Sequence, residues 1–437
     1  MGKSGLNMIN LTFGKVLNPI NLFLVIIPLA IFFTFYIPSF AKYLLLIMSF
    51  YCLIISYFSK SSILTISSFF ISSYFYFLIP YFFWGVDYAT RQDFQSFDLS
   101  VITLRLNSIF SFIFLTMWFF SESGNLNVRE RLARFNNPII FLISIFIVIT
   151  FSFLMVSTEG NAFTSDYRSV TEERYAFIDY SLVFILMAYV FSSEKSDRVV
   201  IFVGLFYCLI CILYGYRLRF IQMTLLIFIL FFESRFNSKV IFKFCVVAFL
   251  ALLVVGVLRG LDKELSLKAL FGGNYGKGVT VSNQGGVFLN ATMYIGLAEN
   301  EIIPLQTKIT TFLGNFLAIF TSHTSLPENY NIVTFLSNRY SIPGGGLIVG
   351  YFYVWGGYVS VVTIALALGF CYRRAFSFNG GGTCYLIYII VVIFMLPRWY
   401  AYNPLHLLKM PLIALLVYGL YMLFHQICVK GGGYKNV

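Results

Sequence analysis

The chain has 437 residues, of which 59% are hydrophobic and 11% charged, with a formal net charge of +12. Water-soluble domains carry about 25% charged residues, so this composition, with a mean hydropathy of +0.84, excludes a single water-soluble core and reads as a polytopic membrane protein. The basic balance reflects a lysine and arginine bias to one side of a bilayer plus something anionic at the other, and nucleic acid is not expected as a partner.

The N-terminal MGKSGLNMINLTFGKVLNPINLFLVIIPLAIFF joins a charged lead to an apolar run without a small-residue cleavage site, so it reads as a retained first span. Apolar runs near the length that crosses a bilayer as helix, about 20 residues, then follow along the chain. They lie near 19–40, 42–59, 63–84, 101–120, 137–157, 177–193, 199–215, 219–233, 240–258, 345–372, 383–399 and 406–427. The expected fold is all-α and polytopic, with about twelve transmembrane helices and one large external loop. The expected organisation is a membrane domain of nine helices at 1–258, the loop at 259–344, and three further helices with a cytoplasmic tail at 345–437.

Orientation follows from lysine and arginine in short loops. Both termini in the cytoplasm put VRERLARF (Arg129, Arg131, Arg134), EKSDR (Lys195, Arg198), ESRFNSK (Arg235, Lys239) and YRRAF (Arg373, Arg374) inside. The more acidic GVDYATRQDFQSFD and EGNAFTSDYRSVTEERY then lie outside. Cys208 and Cys211 spell C-x-x-C in mid-span, where apolar filling is the better reading than redox chemistry.

Between Val199 and Glu233 the only charges are Arg217 and Arg219. One helix of that length would reach roughly 50 Å, against a hydrocarbon core of ~30 Å. Two short helices joined by a hairpin at Gly215–Leu218 fit better and bring both arginines to the external surface. There they either snorkel to lipid headgroups or pair with a loop acid such as Asp262 or Glu328, or they form a bidentate clamp for a phosphate or diphosphate. Arg398 in LPRWYAYNPLHLLK, Arg259 in VLRGLDKE and Arg105 are further cations expected at that face. Lys243 lies near an inner end and Asp179 near an outer one. No cluster has metal-ligand spacing, and no metal or other cofactor is expected.

The loop from Arg259 to about Gly344 holds TKITTFLGNFLAIF, too short to span, so an interfacial helix is expected near 307–320. The chain re-enters the membrane through SNRYSIPGGGLIVGYFYVWGGYVSVV. Pro343 and Gly344–Gly346 make a turn whose N–H groups could face an anion, while Gly346 and Gly350 form G-x-x-x-G, which permits close helix approach.

In this layout the chain resembles the Wzy-type O-antigen polymerases and related oligosaccharide repeat-unit polymerases. The elements that carry the resemblance are GYRLRF, the Arg259–Pro343 loop, PGGGLIVGYFYVWGG and LPRWYAYNPLHLLK. The resemblance implies a GT-C-like glycosyltransferase architecture in the bacterial inner membrane, where the large external loop is a periplasmic loop, and a substrate, undecaprenyl-diphosphate-linked oligosaccharide, at its periplasmic face. It further implies membrane lipid, a chain-length regulator and a flippase of the same pathway as partners. On this reading Arg217, Arg219, Arg259, Arg339 and Arg398 hold the diphosphate. His323 and His406 are the candidate bases for the acceptor hydroxyl, and Tyr330 and Tyr340 could pack on sugar rings. An O-antigen ligase, or another lipid-linked glycosyltransferase, is the nearest alternative; a flippase or transporter is the second.

Overall fold

The computed structural model describes residues 19–85, 87–88, 96–121, 124–157, 176–214, 216–258, 279–280, 283–321, 327–340, 345–376 and 382–431. The α-helices are α1 Pro19–Tyr36, α2 Ala41–Phe58, α3 Ser62–Tyr76, α4 Ile79–Trp84, α5 Phe97–Phe119, α6 Val128–Arg131, α7 Pro138–Ser157, α8 Ser181–Val190 and α9 Asp197–Leu213. They continue as α10 Arg217–Ile227, α11 Ser238–Leu258, α12 Asn283–Glu299, α13 Leu305–Leu317, α14 Ile332–Tyr340, α15 Ile348–Phe376, α16 Thr383–Phe394, α17 Leu396–Ala401 and α18 Lys409–Gly431. The only extended pairing among the described residues is a two-residue parallel bridge, Asp87–Tyr88 with Val279–Thr280.

Helix is what such runs must form, because a lipid-facing segment has to satisfy its backbone donors and acceptors internally. Each of the twelve apolar runs coincides with a helix or a broken pair of helices. Among the described residues, seven helices are long and apolar enough to cross a membrane: Pro38–Phe58, Ser62–Trp84, Phe97–Phe119, Pro138–Met155, Glu194–Leu213, Ile348–Phe376 and Pro404–Cys428. Four more are apolar but shorter. The protein is therefore a helical membrane protein by length and composition of its elements. Where a donor would be orphaned at an entry, a side chain supplies the acceptor: Ser61 Oγ takes the Leu64 N–H at 3.3 Å and Ser96 Oγ the Leu99 N–H at 3.1 Å.

By internal contacts the chain divides into two discontinuous units. Unit 1 holds residues 1–124, 237–314 and 327–377. Its centre is α5 packed along α15, with Trp118 and Phe114 closing on Tyr372 at ring distances of 4.4 and 5.1 Å. The G-x-x-x-G pair does allow close approach: a Cβ on Gly346 would lie 2.4 Å from the Tyr294 ring, and one on Gly350 3.0 Å from the Ala291 backbone. These glycines seat α15 on α12. Pro343 and Gly344, the other half of the expected anion-facing turn, lie outside the described residues.

Two features of unit 1 were not expected. The long helix α15 is broken at Gly356 and Gly357, the latter at φ 62° and ψ −151°, a conformation that favours glycine. Arg105, grouped above with the external cations, is buried and already engaged. It donates from Nε to Thr34 Oγ1 at 3.0 Å, from Nη2 to the Thr34 carbonyl at 2.7 Å and from Nη1 to Tyr358 Oη at 3.0 Å. Its guanidinium lies 3.6 Å over the Phe35 ring. The guanidinium thus staples the last turn of α1, where free carbonyls and the helix dipole favour a cation.

The expected interfacial helix corresponds to α13. One flank is docked: Trp355 Nε1 donates to Thr311 Oγ1 at 3.2 Å, and Thr310 Oγ1 to the Asn329 carbonyl at 2.9 Å. The other flank leaves Leu305, Ile309 and Leu313 exposed, the distribution of an amphipathic helix.

Unit 2 holds residues 125–236, 315–326 and 378–437. Here α9 and α10 form the expected hairpin, broken between Leu213 and Arg217, and α7 packs on α8 while α16 packs on α18. Glu233, just past a π-helical turn at Phe228–Phe232, folds its buried carboxylate back onto the chain before α6. It accepts the Leu126 N–H and, at 2.9 Å, the Asn127 N–H.

One substitution tests the docking of α13. A Cβ at Gly314 would sit 1.8 Å from the Tyr330 carbonyl oxygen, a rigid backbone atom. Gly314→Ala should destabilise the protein by about 1–3 kcal/mol, the usual cost of overpacking, seen as a lower midpoint of thermal unfolding in detergent.

Candidate functional site

The entry to α8 is a 3-10 turn, Ala176–Tyr180, whose fourth residue is Asp179. This carboxylate is 5% exposed and lies at the head of an otherwise apolar helix. Its Oδ1 accepts from Arg219 Nε at 2.6 Å, and its Oδ2 from Arg398 Nη2 at 2.8 Å. Both distances are those of charge-assisted hydrogen bonds.

Arg219 belongs to the first turn of α10 and is itself 7% exposed. Its guanidinium lies 4.6 Å over the ring of Tyr216, the residue that precedes the helix. The break in the hairpin sets this geometry, since Arg219 can face α8 only if the chain turns before residue 217. Arg398 reaches the same carboxylate from α17. There Pro397 lacks the N–H that would continue α16, so the helix ends at Phe394 and restarts at Leu396. Trp399 anchors the new turn by donating Nε1–H to the Val392 carbonyl at 2.8 Å.

Asn403 then stops α17 and opens a 3-10 turn, Pro404–Leu407, its Oδ1 taking the Leu405 N–H at 3.0 Å. His406 is carried on this turn, within electrostatic reach of the Asp179 carboxylate. Lys409 follows, its Nζ donating to the Thr321 carbonyl at 2.8 Å.

The cluster holds two guanidinium groups and one carboxylate. A guanidinium carries five N–H donors, and Asp179 uses one from each. Arg398 Nε and Tyr216 Oη are both buried without a protein partner among the described residues. Burying a charge without a partner is expensive, so one net positive charge with donors to spare is a site suited to an anion. Asp179 fixes the two arginines relative to each other; Arg219 Nη1 is directed at Met155 Sδ at 4.0 Å, and Arg398 Nε is left to bind.

Of the residues singled out from sequence, Arg219, Arg398 and His406 come together in unit 2. Arg217 begins α10, but its side chain lies outside the described residues, as do Arg259 and His323. Arg339 belongs to unit 1, where Nε donates to Glu328 Oε1 at 2.9 Å and its guanidinium rests 4.8 Å over Phe335. Tyr330 and Tyr340 are also in unit 1; Tyr340 packs edge-on against Phe335 at 6.1 Å. Of the loop acids considered, Glu328 pairs with Arg339 and Asp262 lies outside the described residues; among the described residues the partner of Arg219 is Asp179. Sequence reasoning noted that residue and gave it no role, although a lone acid in an apolar run is a functional candidate in itself.

No family model, curated protein or solved structure matches the chain.

The shared carboxylate makes a stability prediction. Asp179→Ala leaves the buried Arg219 guanidinium and the partly exposed Arg398 guanidinium facing each other without their shared carboxylate. It should cost about 2–4 kcal/mol, toward the lower end of the cost of breaking a buried ion pair because Arg398 keeps some access to solvent. Arg219→Met, which leaves Asp179 still paired with Arg398, should cost clearly less. Thermal unfolding of the two variants in the same detergent makes the comparison.

Proposed function

We propose that the protein is an O-antigen polymerase, a glycosyltransferase that joins undecaprenyl-diphosphate-linked oligosaccharide units at the periplasmic face of the bacterial inner membrane. The observation that carries the reading is the convergence of Arg219 and Arg398 on one buried carboxylate. The sequence layout supports it: twelve apolar runs, a late long loop, a glycine-rich re-entry, and arginines in GYRLRF and LPRWYAYNPLHLLK, in the manner of the Wzy-type family. In this reading all twelve runs cross the membrane in a GT-C-like arrangement, and both termini are cytoplasmic.

The transfer breaks the bond between the anomeric carbon of the donor glycan and its diphosphate oxygen. A new bond forms from that carbon to a hydroxyl oxygen of the next lipid-linked unit. The diphosphate departs with the bonding pair, and its charge grows as the bond stretches. Arg219 and Arg398, already positioned, bind that charge more strongly in the transition state than in the ground state, which lowers the barrier. The hydroxyl proton passes to a base, a role this reading gives to His406, on the turn beside the cluster. Asp179, held by both arginines, acts as a positioning residue.

Disrupting the gene in its native host tests the reading. Lipopolysaccharide should then carry a single repeat unit instead of a ladder of long chains. Bare core would instead indicate a ligase, and units stranded on the cytoplasmic side a flippase. Complementation with Arg398→Ala or Arg219→Ala should leave the protein in the membrane and abolish long chains. Normal ladders from both variants would remove the assignment of the site.

A further inference from the structure

A second cationic feature lies in unit 2, at the other end of the α9–α10 hairpin. Phe231 is twelve residues beyond Arg219, about 18 Å along the helix axis. Here Arg129, Glu194, Lys195, Asp197, Arg198, Ile201, Phe231 and Arg235 line an open cavity of about 600 Å³. The charge rule applied to the sequence puts these basic loops on the cytoplasmic side. That rule asks only for cations near helix ends and does not require them to surround a hollow.

The charges around the cavity do not cancel. Four of its lining side chains are cationic and two anionic. Asp197 is already committed to a fifth cation, Arg134, whose Nη2 lies 2.5 Å from Oδ1. Arg129 Nη2 stands 3.7 Å from Glu194 and 3.9 Å from Asp197, within ion-pair range but beyond hydrogen-bonding distance. The excess is positive, and it is strengthened by the N-terminus of α9, which starts at Asp197 on the rim.

Two of the lining residues are apolar, Ile201 and the buried Phe231. From there an exposed stripe runs up α9 through Phe202, Leu205, Leu209 and Ile212, spaced to lie on one helix face. A cationic hollow opening onto an apolar track matches a phosphate ester joined to an acyl chain. We propose that this cavity binds the phosphate headgroup of an anionic phospholipid, held by Arg129, Lys195, Arg198 and Arg235, with an acyl chain along the stripe on α9. A soluble phosphate or diphosphate would use the same cations without the stripe. The inference is independent of the reaction proposed above.

The test uses the full-length protein in detergent, with native mass spectrometry as the readout. The probes are cardiolipin and phosphatidylglycerol, with phosphatidylcholine as the neutral reference and inorganic pyrophosphate as the soluble competitor. Wild-type protein should retain the anionic lipids over phosphatidylcholine, and the double variant Arg129→Gln/Arg235→Gln should retain them about tenfold less. Arg373→Gln/Arg374→Gln, which removes two exposed cations outside the cavity, should bind as wild type and controls for overall charge. Cardiolipin retention that resists pyrophosphate supports the lipid. Displacement by pyrophosphate, with the same loss in the double variant, would assign the cavity to a soluble phosphate compound and overturn the lipid. Equal retention by wild type and double variant, or no preference over phosphatidylcholine, would overturn the site.

Discussion

One carboxylate shared by two guanidinium groups organises unit 2. Asp179, Arg219 and Arg398 come from three segments far apart in sequence, and each is placed by an interruption of helix: a 3-10 entry, a broken hairpin and a proline restart. In an apolar interior none of the three tolerates isolation, because a buried charge without a partner is penalised more heavily than almost any packing defect. The ion pairs therefore help to specify where α8, α10 and α17 meet, in a region that is otherwise mostly apolar.

The buried charges of this chain are compensated in different ways. Glu233 is satisfied by backbone N–H groups and Arg105 by the carbonyl end of a helix, a hydroxyl pair and an aromatic face. Both arrangements fasten one segment to another, and every nitrogen of the Arg105 guanidinium has a protein acceptor. The Asp179 cluster differs because its stoichiometry is uneven and its donors are not exhausted. That difference, and not the presence of arginine as such, separates a binding site from a staple, since a guanidinium is chosen for both purposes.

Much of the fold could be read from sequence because a bilayer demands long uninterrupted apolar runs, and these are conspicuous in any window. The excess length of 199–233 implied a break, which lies where the two arginines require it. The site was half legible. Arg219, Arg398 and His406 stood out as polar residues where few are expected, whereas Asp179 did not, because its meaning is a matter of pairing across 40 and 219 positions of chain. Arg105 and Arg339 stood out equally, and only three-dimensional contacts reveal that each already has a structural partner. The amphipathic character of TKITTFLGNFLAIF pointed to α13, but its docking on the turn at Tyr330 depends on a glycine that no periodicity would single out.

The interruption at Gly356–Gly357 separates α15 into two levers. The upstream arm is seated on α12 through Gly346 and Gly350, and the downstream arm lies along α5, with Tyr372 against Trp118. At the joint, Ser360 Oγ donates to carbonyls released by the break, those of Phe352 and, at 2.9 Å, Gly357. A continuous rod of 29 residues would transmit any torque at one end to the other. A hinged one confines it, so the arm adjoining the glycine-rich re-entry can be reshaped by substitution while the aromatic anchor of unit 1 stays undisturbed.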